Sequence, residues 1–403
     1  MNRNRTMTTD AKPAGLTGKT LVMYMLVLGY GVSTTFIGTI ILQLLDEFSV
    51  PIADGGIFYS VMNTGCFLGI LASGHILDRF SLRSVITVTY TVFALLLVSV
   101  ALTSTLGSFL CVTFVIGMSC KLFDAATNAY VSREYVHNKG FFMNLLHCSF
   151  GVGSFFGPLV AGMFVEHSRS WRTPYLFMGI LCLLLFAAYR LLSRGDAIGS
   201  GESDAALPAT FKSVMTRPMA FLLLTMFFYS GHQMGMNSWL PAYLGERFSI
   251  DTVSAGFGLS VFWLGLIFSR LSCSFLTKTI NERTLLVYGF ALGSLFMLVG
   301  IGLDSEMTTY IASAAAGLFT GATIPMLLTL GYIWYPHARG KVTMLLFISL
   351  TFGQIAFPWL MGRLGGSFGL KTSMLLNGAL LAGALLFGLF LPKPVPEDAH
   401  SNA

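Results

Sequence analysis

Residues 116–158 read IGMSCKLFDAATNAYVSREYVHNKGFFMNLLHCSFGVGSFFGP. The first half completes an apolar run of membrane-crossing length, yet it carries Lys121, Asp124 and Asn128. An ionisable group at bilayer depth costs roughly 2.5–3.5 kcal/mol on insertion scales, so it persists where it faces a partner or a water-filled cavity. Lys121 and Asp124 are three apart and Asn128 follows one turn later, so a helix places all three on one face. The next apolar run adds Asn144 and His147, again three apart. Two successive membrane helices thus share a polar stripe.

Composition agrees with a membrane chain. Of 403 residues, 54% are hydrophobic and 10% charged, against about a quarter charged in soluble domains. The formal charge of +6 is explained by basic residues at a cytoplasmic face, with no nucleic-acid partner implied. Cys66, Cys111, Cys120, Cys148, Cys182 and Cys273 all lie in apolar runs and read as packing residues, with no disulfide and no metal site. The polar first 19 residues are not followed by a short apolar stretch with a cleavage site, so the first run is expected to be a span and not a leader.

At about 20 residues per crossing, twelve spans are expected, near 20–46, 53–77, 84–103, 107–132, 140–166, 172–194, 218–246, 252–277, 284–303, 306–335, 340–366 and 369–391. The organisation is a cytoplasmic tail at 1–19, a six-helix bundle at 20–194, a cytoplasmic linker at 195–217, a second bundle at 218–391 and a cytoplasmic tail at 392–403. Of 24 Lys and Arg, Lys121 and Arg270 fall within spans. Arg169, Arg172, Arg247, Arg363 and Lys371 fall on one side and all the others on the opposite side. That bias places both termini in the cytoplasm, in what we expect to be a bacterial inner membrane.

The chain repeats itself at an offset of 200. Leu44, Phe48, Ser49, Gly56, Ser60, Gly65 and Arg83 recur as Leu244, Phe248, Ser249, Gly256, Ser260, Gly265 and Arg283. Gly117, His137, Gly140, Gly153, Pro158 and Gly162 recur as Gly317, His337, Gly340, Gly353, Pro358 and Gly362. Apolar bias alone does not align glycines, prolines and a loop histidine in one ungapped register. Parallel halves of this kind are the sequence form of a rocking transporter.

After the second span comes Gly74-His-Ile-Leu-Asp78-Arg79-Phe-Ser-Leu-Arg83. Gly74 permits close helix approach, and Asp78 can pair with Arg79, Arg83 or a helix end. These residues resemble the loop-2/3 signature of the major facilitator superfamily, and the twelve spans, linker and repeat extend the resemblance over the whole chain. It implies an all-α fold of two six-helix bundles facing a central cavity, and a gating role for Gly74, Asp78, Arg79 and Arg83. Gly117, Asp124, Asn128, Tyr130, Val131, Asn144, Leu145, His147 and Gly151 are similar to spans four and five of the fucose–galactose–glucose:proton symporters. That resemblance implies proton coupling at Asp124 and sugar contacts from nearby amides. Those symporters also carry an acid midway along span one, where this chain has Gly38. Gly153 to Gly162, with Gly157 and Pro158, resembles a drug-antiporter signature. Small residues four apart with a proline also describe tight, bent helix packing, and Gly157 and Pro158 are expected to belong to the gating elements.

In the seventh span His232, Gln233, Asn237 and Trp239 fall within eight residues. Amides suit hydroxyl groups and an indole suits the C–H face of a sugar ring. Asn63, Gln354, Trp263, Tyr24 and Tyr30 are weaker candidates for the same lining. Arg270 either neutralises Asp124 or binds an anionic group of the solute. Asp124 itself either carries the coupled proton or pairs structurally with Lys121 or Arg270. His147 either shuttles protons or packs. No nucleotide loop, metal cluster or nucleophile motif suggests an enzyme or a cofactor. The leading expectation is a monomeric secondary transporter taking up a sugar-like polar solute with a proton, or else sodium. Its competitors are a drug or metabolite exporter and a non-transporting receptor.

Overall fold

A computed structural model describes residues 18–135, 139–192 and 214–393. Most of the expected tails and the linker lie outside these residues. The described chain is helical, with no strand among the described residues. Span one is built of Gly18–Thr34, Phe36–Thr39 and Ile41–Glu47. Spans two to six are Ile57–Arg79, Leu82–Val100, Leu106–Glu134, Lys139–Ser168 and Arg172–Leu192. Spans seven to nine are Arg217–Phe248, Thr252–Leu276 and Glu282–Gly302. Span ten is Glu306–Thr320 with Thr323–Trp334, and spans eleven and twelve are Arg339–Phe368 and Leu370–Leu389.

Eleven helical stretches among the described residues are long and apolar enough to cross a membrane. Span seven has the length, at 32 residues, but interrupts its apolar run with Ser230, Gly231, His232, Gln233 and Asn237. Those groups need partners inside the protein. The outward surface of the bundle is apolar, with Val88, Leu95, Leu184, Phe275 and Leu295 exposed, as hydrocarbon contact requires. Helix starts are capped where the chain re-enters from a loop. Ser81 accepts from the Ser84 amide at 3.1 Å, Asp251 from Ser254 at 2.9 Å and Asn281 from Thr284 at 2.9 Å, each satisfying an otherwise orphaned donor.

Two spans expected to be continuous are broken. Span one is interrupted at Thr35 and Ile40, and span ten at Gly321 and Ala322. Pro325 accounts for the second break. Proline has no N–H to give the carbonyl four residues back, and its ring crowds that carbonyl.

The 200-residue repeat is present in the structure. Ser49 and Ser249 both end a span in the left-handed region at φ 52°. Gly65 lies against the Phe114 carbonyl and Gly117 against the Met62 carbonyl. In the second half Gly265 meets the Ala314 carbonyl and Gly317 the Phe262 carbonyl. Every one of these contacts maps onto its counterpart by adding 200. Spans two and four, and spans eight and ten, therefore cross at the same points. The halves also meet each other symmetrically, Gly56 against Pro358 and Gly256 against the Pro158 carbonyl.

Candidate functional site: a cavity between the halves

The contacts between halves gather at one end of the molecule. Ser60 donates to the Ile355 carbonyl at 2.8 Å and Tyr59 to the Asn237 carbonyl at 3.0 Å, while Trp239, whose Nε1 donates to the Pro358 carbonyl of its own half at 2.9 Å, packs its ring against Gly55 of the other half. Asp54 pairs with Arg363 at 2.9 Å, and Glu166 accepts from the Thr252 amide at 2.9 Å. Below this seal a cavity of about 1050 Å³ opens toward the opposite end, where its lining reaches Ser73, Gly74, Thr277, Glu282 and Gly340.

Most of the site residues expected from sequence come together here. Asn63, Gly74, Lys121, Asp124, Asn128, Asn144, His147, Gln233, Asn237, Arg270 and Gln354 all line the cavity, with Tyr30 and Trp263. Lys121 Nζ stands 3.7 Å from Asp124 Oδ2. Asn128 Nδ2 donates to Asp124 Oδ1 at 3.0 Å and to the Asp124 carbonyl at 2.7 Å. The stripe is thus a bonded chain along one face of span four, and the carboxylate is held by two neighbours while facing the cavity.

The closed end of the cavity is aromatic and amidic. Trp263 Nε1 donates to Asn237 Oδ1 at 3.1 Å, and Asn237 Nδ2 donates to the Gln233 carbonyl at 2.8 Å. Phe150 meets Trp263 edge to face at 5.8 Å and Tyr30 at 5.1 Å, joining the halves through aromatic rings.

Prolines prepare several cavity contacts. Pro241 and Pro358 lie inside helices, and Pro325 follows the break in span ten. Each removes the donor for the carbonyl four residues earlier. Those carbonyls belong to Asn237, Gln354 and Gly321, and each accepts from a side chain on another span. Tyr59 takes the first, Asn63 Nδ2 the second at 3.4 Å, and Arg270 Nε the third at 3.2 Å.

Some expected residues sit elsewhere. His232 is fully buried among helices, with Nδ1 3.4 Å from the Asn377 carbonyl and its ring against Phe262. Trp239 is fully buried in the seal. Neither lines the cavity. Tyr24 donates to the Phe142 carbonyl at 3.0 Å, away from the cavity. Asp78 and Arg79 are exposed at the open end and Arg83 is half-buried there. Gly157 packs on Val32 and Thr35 of span one, while Pro158 meets Gly256. Phe150 and Glu282 were not anticipated. Phe150 shares the helical face of His147 three residues on, which was its only sequence signal. Glu282 opens span nine and reads as an ordinary loop acid.

Two helical bundles related by an internal repeat, with polar groups lining a cavity sealed at one end, define a membrane transporter fold. The family model of the Major Facilitator Superfamily matches residues 23–331 and 255–403, and the chain belongs to that superfamily. It is 20% identical over 368 residues to a "Protein TsgA homolog" of Serratia proteamaculans, covering 91% of this chain and 92% of the relative. A TsgA homolog of Buchnera aphidicola is 19% identical over 346 residues, covering 86% and 87%. Among solved structures, the inward-facing, unoccupied bacterial homolog of the human lysosomal transporter Spinster superposes with a TM-score of 0.78. It is 14% identical, and the match covers 93% of this chain and 96% of that one. The nucleoside transporter NupG gives 0.73 at 12% identity, covering 93% and 98%.

Proposed function

We propose that the protein is a secondary active transporter that takes up a small polar solute together with a proton, the solute bearing a ring and hydroxyl-like groups. The observation that carries this reading is Asp124, a carboxylate at membrane depth on the wall of a cavity open at one end only. Its neighbours Lys121 and Asn128 both contact the carboxylate. Protonation cancels its attraction for Lys121 and changes the charge of the cavity wall, which couples proton binding to the cost of moving that wall through the bilayer. Gln233, Asn237, Asn63 and Gln354 offer directional hydrogen bonds at the closed end, and Tyr30, Phe150 and Trp263 offer faces for a ring. The excess of Lys and Arg beyond the open end supports a cytoplasmic open end, and with it an inward-facing cavity in a plasma membrane of bacterial type.

The apolar part of the lining, with Met143, Met234, Met326 and Met344, favours a second reading, export of an amphiphilic compound. Thioethers adapt to irregular apolar shapes. Proteoliposomes with an imposed pH gradient separate the two. Solute entry that acidifies the lumen supports symport. Solute accumulation driven by the opposite gradient supports export. A membrane receptor moves nothing in either. Asp124→Asn is expected to abolish gradient-driven accumulation while leaving solute exchange at equal pH. Unchanged accumulation refutes the coupling role of Asp124.

A further inference from the structure

The charges at membrane depth do not balance. Among the described residues, the deep wall of the cavity is lined by two cationic side chains, Lys121 and Arg270, and one anionic side chain, Asp124. Glu282 lies at the mouth, on the first residue of span nine. The two cations come from different halves, and the repeat fixes their relative height. Gly69 packs beside Lys121, so that a Cβ on it would stand 3.1 Å from Lys121 Cβ. Adding 200 gives Ser269 beside Gly321, where a glycine Cβ would stand 2.7 Å from Ser269 Cβ. Arg270 follows Ser269 and bonds the Gly321 carbonyl. Lys121 and Arg270 therefore occupy one level of the cavity, one in each half, although they are not counterparts in sequence. Ile70 stands at the position equivalent to Arg270 and lines the cavity as well. The bond from Nε to Gly321 fixes the plane of the guanidinium, a group whose fork of donors matches a carboxylate or phosphate.

We propose that these two cations seat a single anionic group on the transported solute, with Asp124 balancing one of them. This deepens the function proposed above, since it rests on the same cavity being the solute site. The solute is then a hydroxylated monoanion whose charge contacts both halves at once. A charge shared between halves is best satisfied when both walls are near it, so binding favours the closed intermediate through which the solute crosses.

Cys273 reports the potential directly. It lines the cavity one turn beyond Arg270. The intact protein in nanodiscs is treated with the anionic 2-sulfonatoethyl methanethiosulfonate or the cationic trimethylammonium analogue. Modification of Cys273 is read by peptide mass spectrometry and each rate is divided by that of a free thiol. The anionic reagent is expected to be favoured roughly tenfold, as a local potential of about 1 kT gives for two reagents of opposite unit charge. The preference is expected to fall toward unity in Arg270→Gln and in Lys121→Gln, and to survive in Arg270→Lys, which keeps the charge. Equal or faster reaction with the cationic reagent overturns the proposal. Matched solutes refine it. Glucuronate protecting Cys273 better than glucose supports a carboxylate, and glucose 6-phosphate protecting best supports a phosphate. Better protection by glucose overturns it. The reagent preference does not depend on coupling. A preference for the anion with uptake indifferent to the pH gradient refutes proton symport and leaves this inference standing.

Discussion

Asn237 uses its two ends for two purposes. Its side chain lines the cavity and binds Trp263, while its carbonyl, left without a helical donor by Pro241, accepts from Tyr59 of the other half. A solute that moves the amide therefore moves a residue of the seal. Tyr59→Phe leaves that carbonyl buried and unpaired, at a cost of about 1–3 kcal/mol. The closed end is expected to open more often, measured as faster thiol labelling of a cysteine placed at Ser60. No change in labelling refutes the link. Gly38 explains the acid missing from span one. A Cβ there would overlap the Asn237 carbonyl and stand 2.8 Å from Tyr59 Oη, so no side chain fits while the seal is closed. Gly38→Ala is expected to act in the same direction as Tyr59→Phe. The charged stripe of span four was legible in the sequence because charge in an apolar run is an energetic anomaly. His232 and Trp239 were not separable from Gln233 and Asn237, because helical spacing identifies a face and does not say whether that face meets a cavity or another helix. Phe150 gave no anomaly at all, as an aromatic residue in an apolar span.

At the scale of the element, the informative residues are the prolines. Their positions were visible in the sequence, and each announces a carbonyl in search of a donor. The side chain that answers it was not visible, because it comes from a span far away in the chain. Pro325→Ala tests the principle in span ten. Alanine supplies the N–H that Gly321 lacks, so the helix is expected to close across the break and draw the carbonyl from Arg270. Hydrogen exchange would then show a protected amide at 325 and stronger protection through 321–326. Unprotected amides mean that packing around Gly321 imposes the break without proline. Outside the membrane, Asp304 ties together three elements. It pairs with Arg247 at the end of span seven and with Lys371 at the start of span twelve, 3.3 Å away. The Arg247 hydrogen bond, helped by Lys371, lowers its pKa to about 2. A lowered carboxylate stabilises the folded protein above its unfolded pKa of roughly 3.9 and loses that effect as the pH falls toward about 2. The difference in Tm between the protein and Asp304→Asn is therefore expected to be constant above about pH 5, to fall to a small fraction near pH 2 and to vanish toward about pH 1. Asparagine tolerates the left-handed φ of 55° at this position, so the backbone is preserved in the comparison. A difference undiminished at pH 2 would assign the effect to something other than the ion pairs.

The whole molecule is a two-fold device with unequal copies. The twelve spans and the parallel repeat were legible because glycine and proline positions survive where helices cross, and those crossings recur in the structure at the same offset. The break in span one was hidden, since it lies in an apolar run without a charge or a proline to mark it, whereas Pro325 marked the one in span ten. The inequality of the copies appears where the halves touch. A Cβ on Gly56 would meet the Pro358 carbonyl oxygen at 2.5 Å, whereas one on Gly256 would meet the Pro158 carbonyl oxygen at 2.8 Å and Thr39 at 3.3 Å. In both cases the obstacle is backbone, which cannot turn aside as a side chain does, and overpacking of this kind costs typically 1–3 kcal/mol. Gly56→Leu and Gly256→Leu are each expected to wedge the sealed end apart and shift the population toward the state open on that side. Gly56→Leu is expected to have the larger effect, because its contact is the tighter one. Labelling of Cys273 from the open end should then slow in both variants, and labelling of a cysteine at Ser60 should rise, in the order Gly56→Leu, Gly256→Leu, parent. Reversal of the order would mean that the interface of spans five and eight bears more of the seal than its geometry indicates. Slowing at Cys273 without a rise at residue 60 would mean that the wedge collapses the cavity and does not rock the halves.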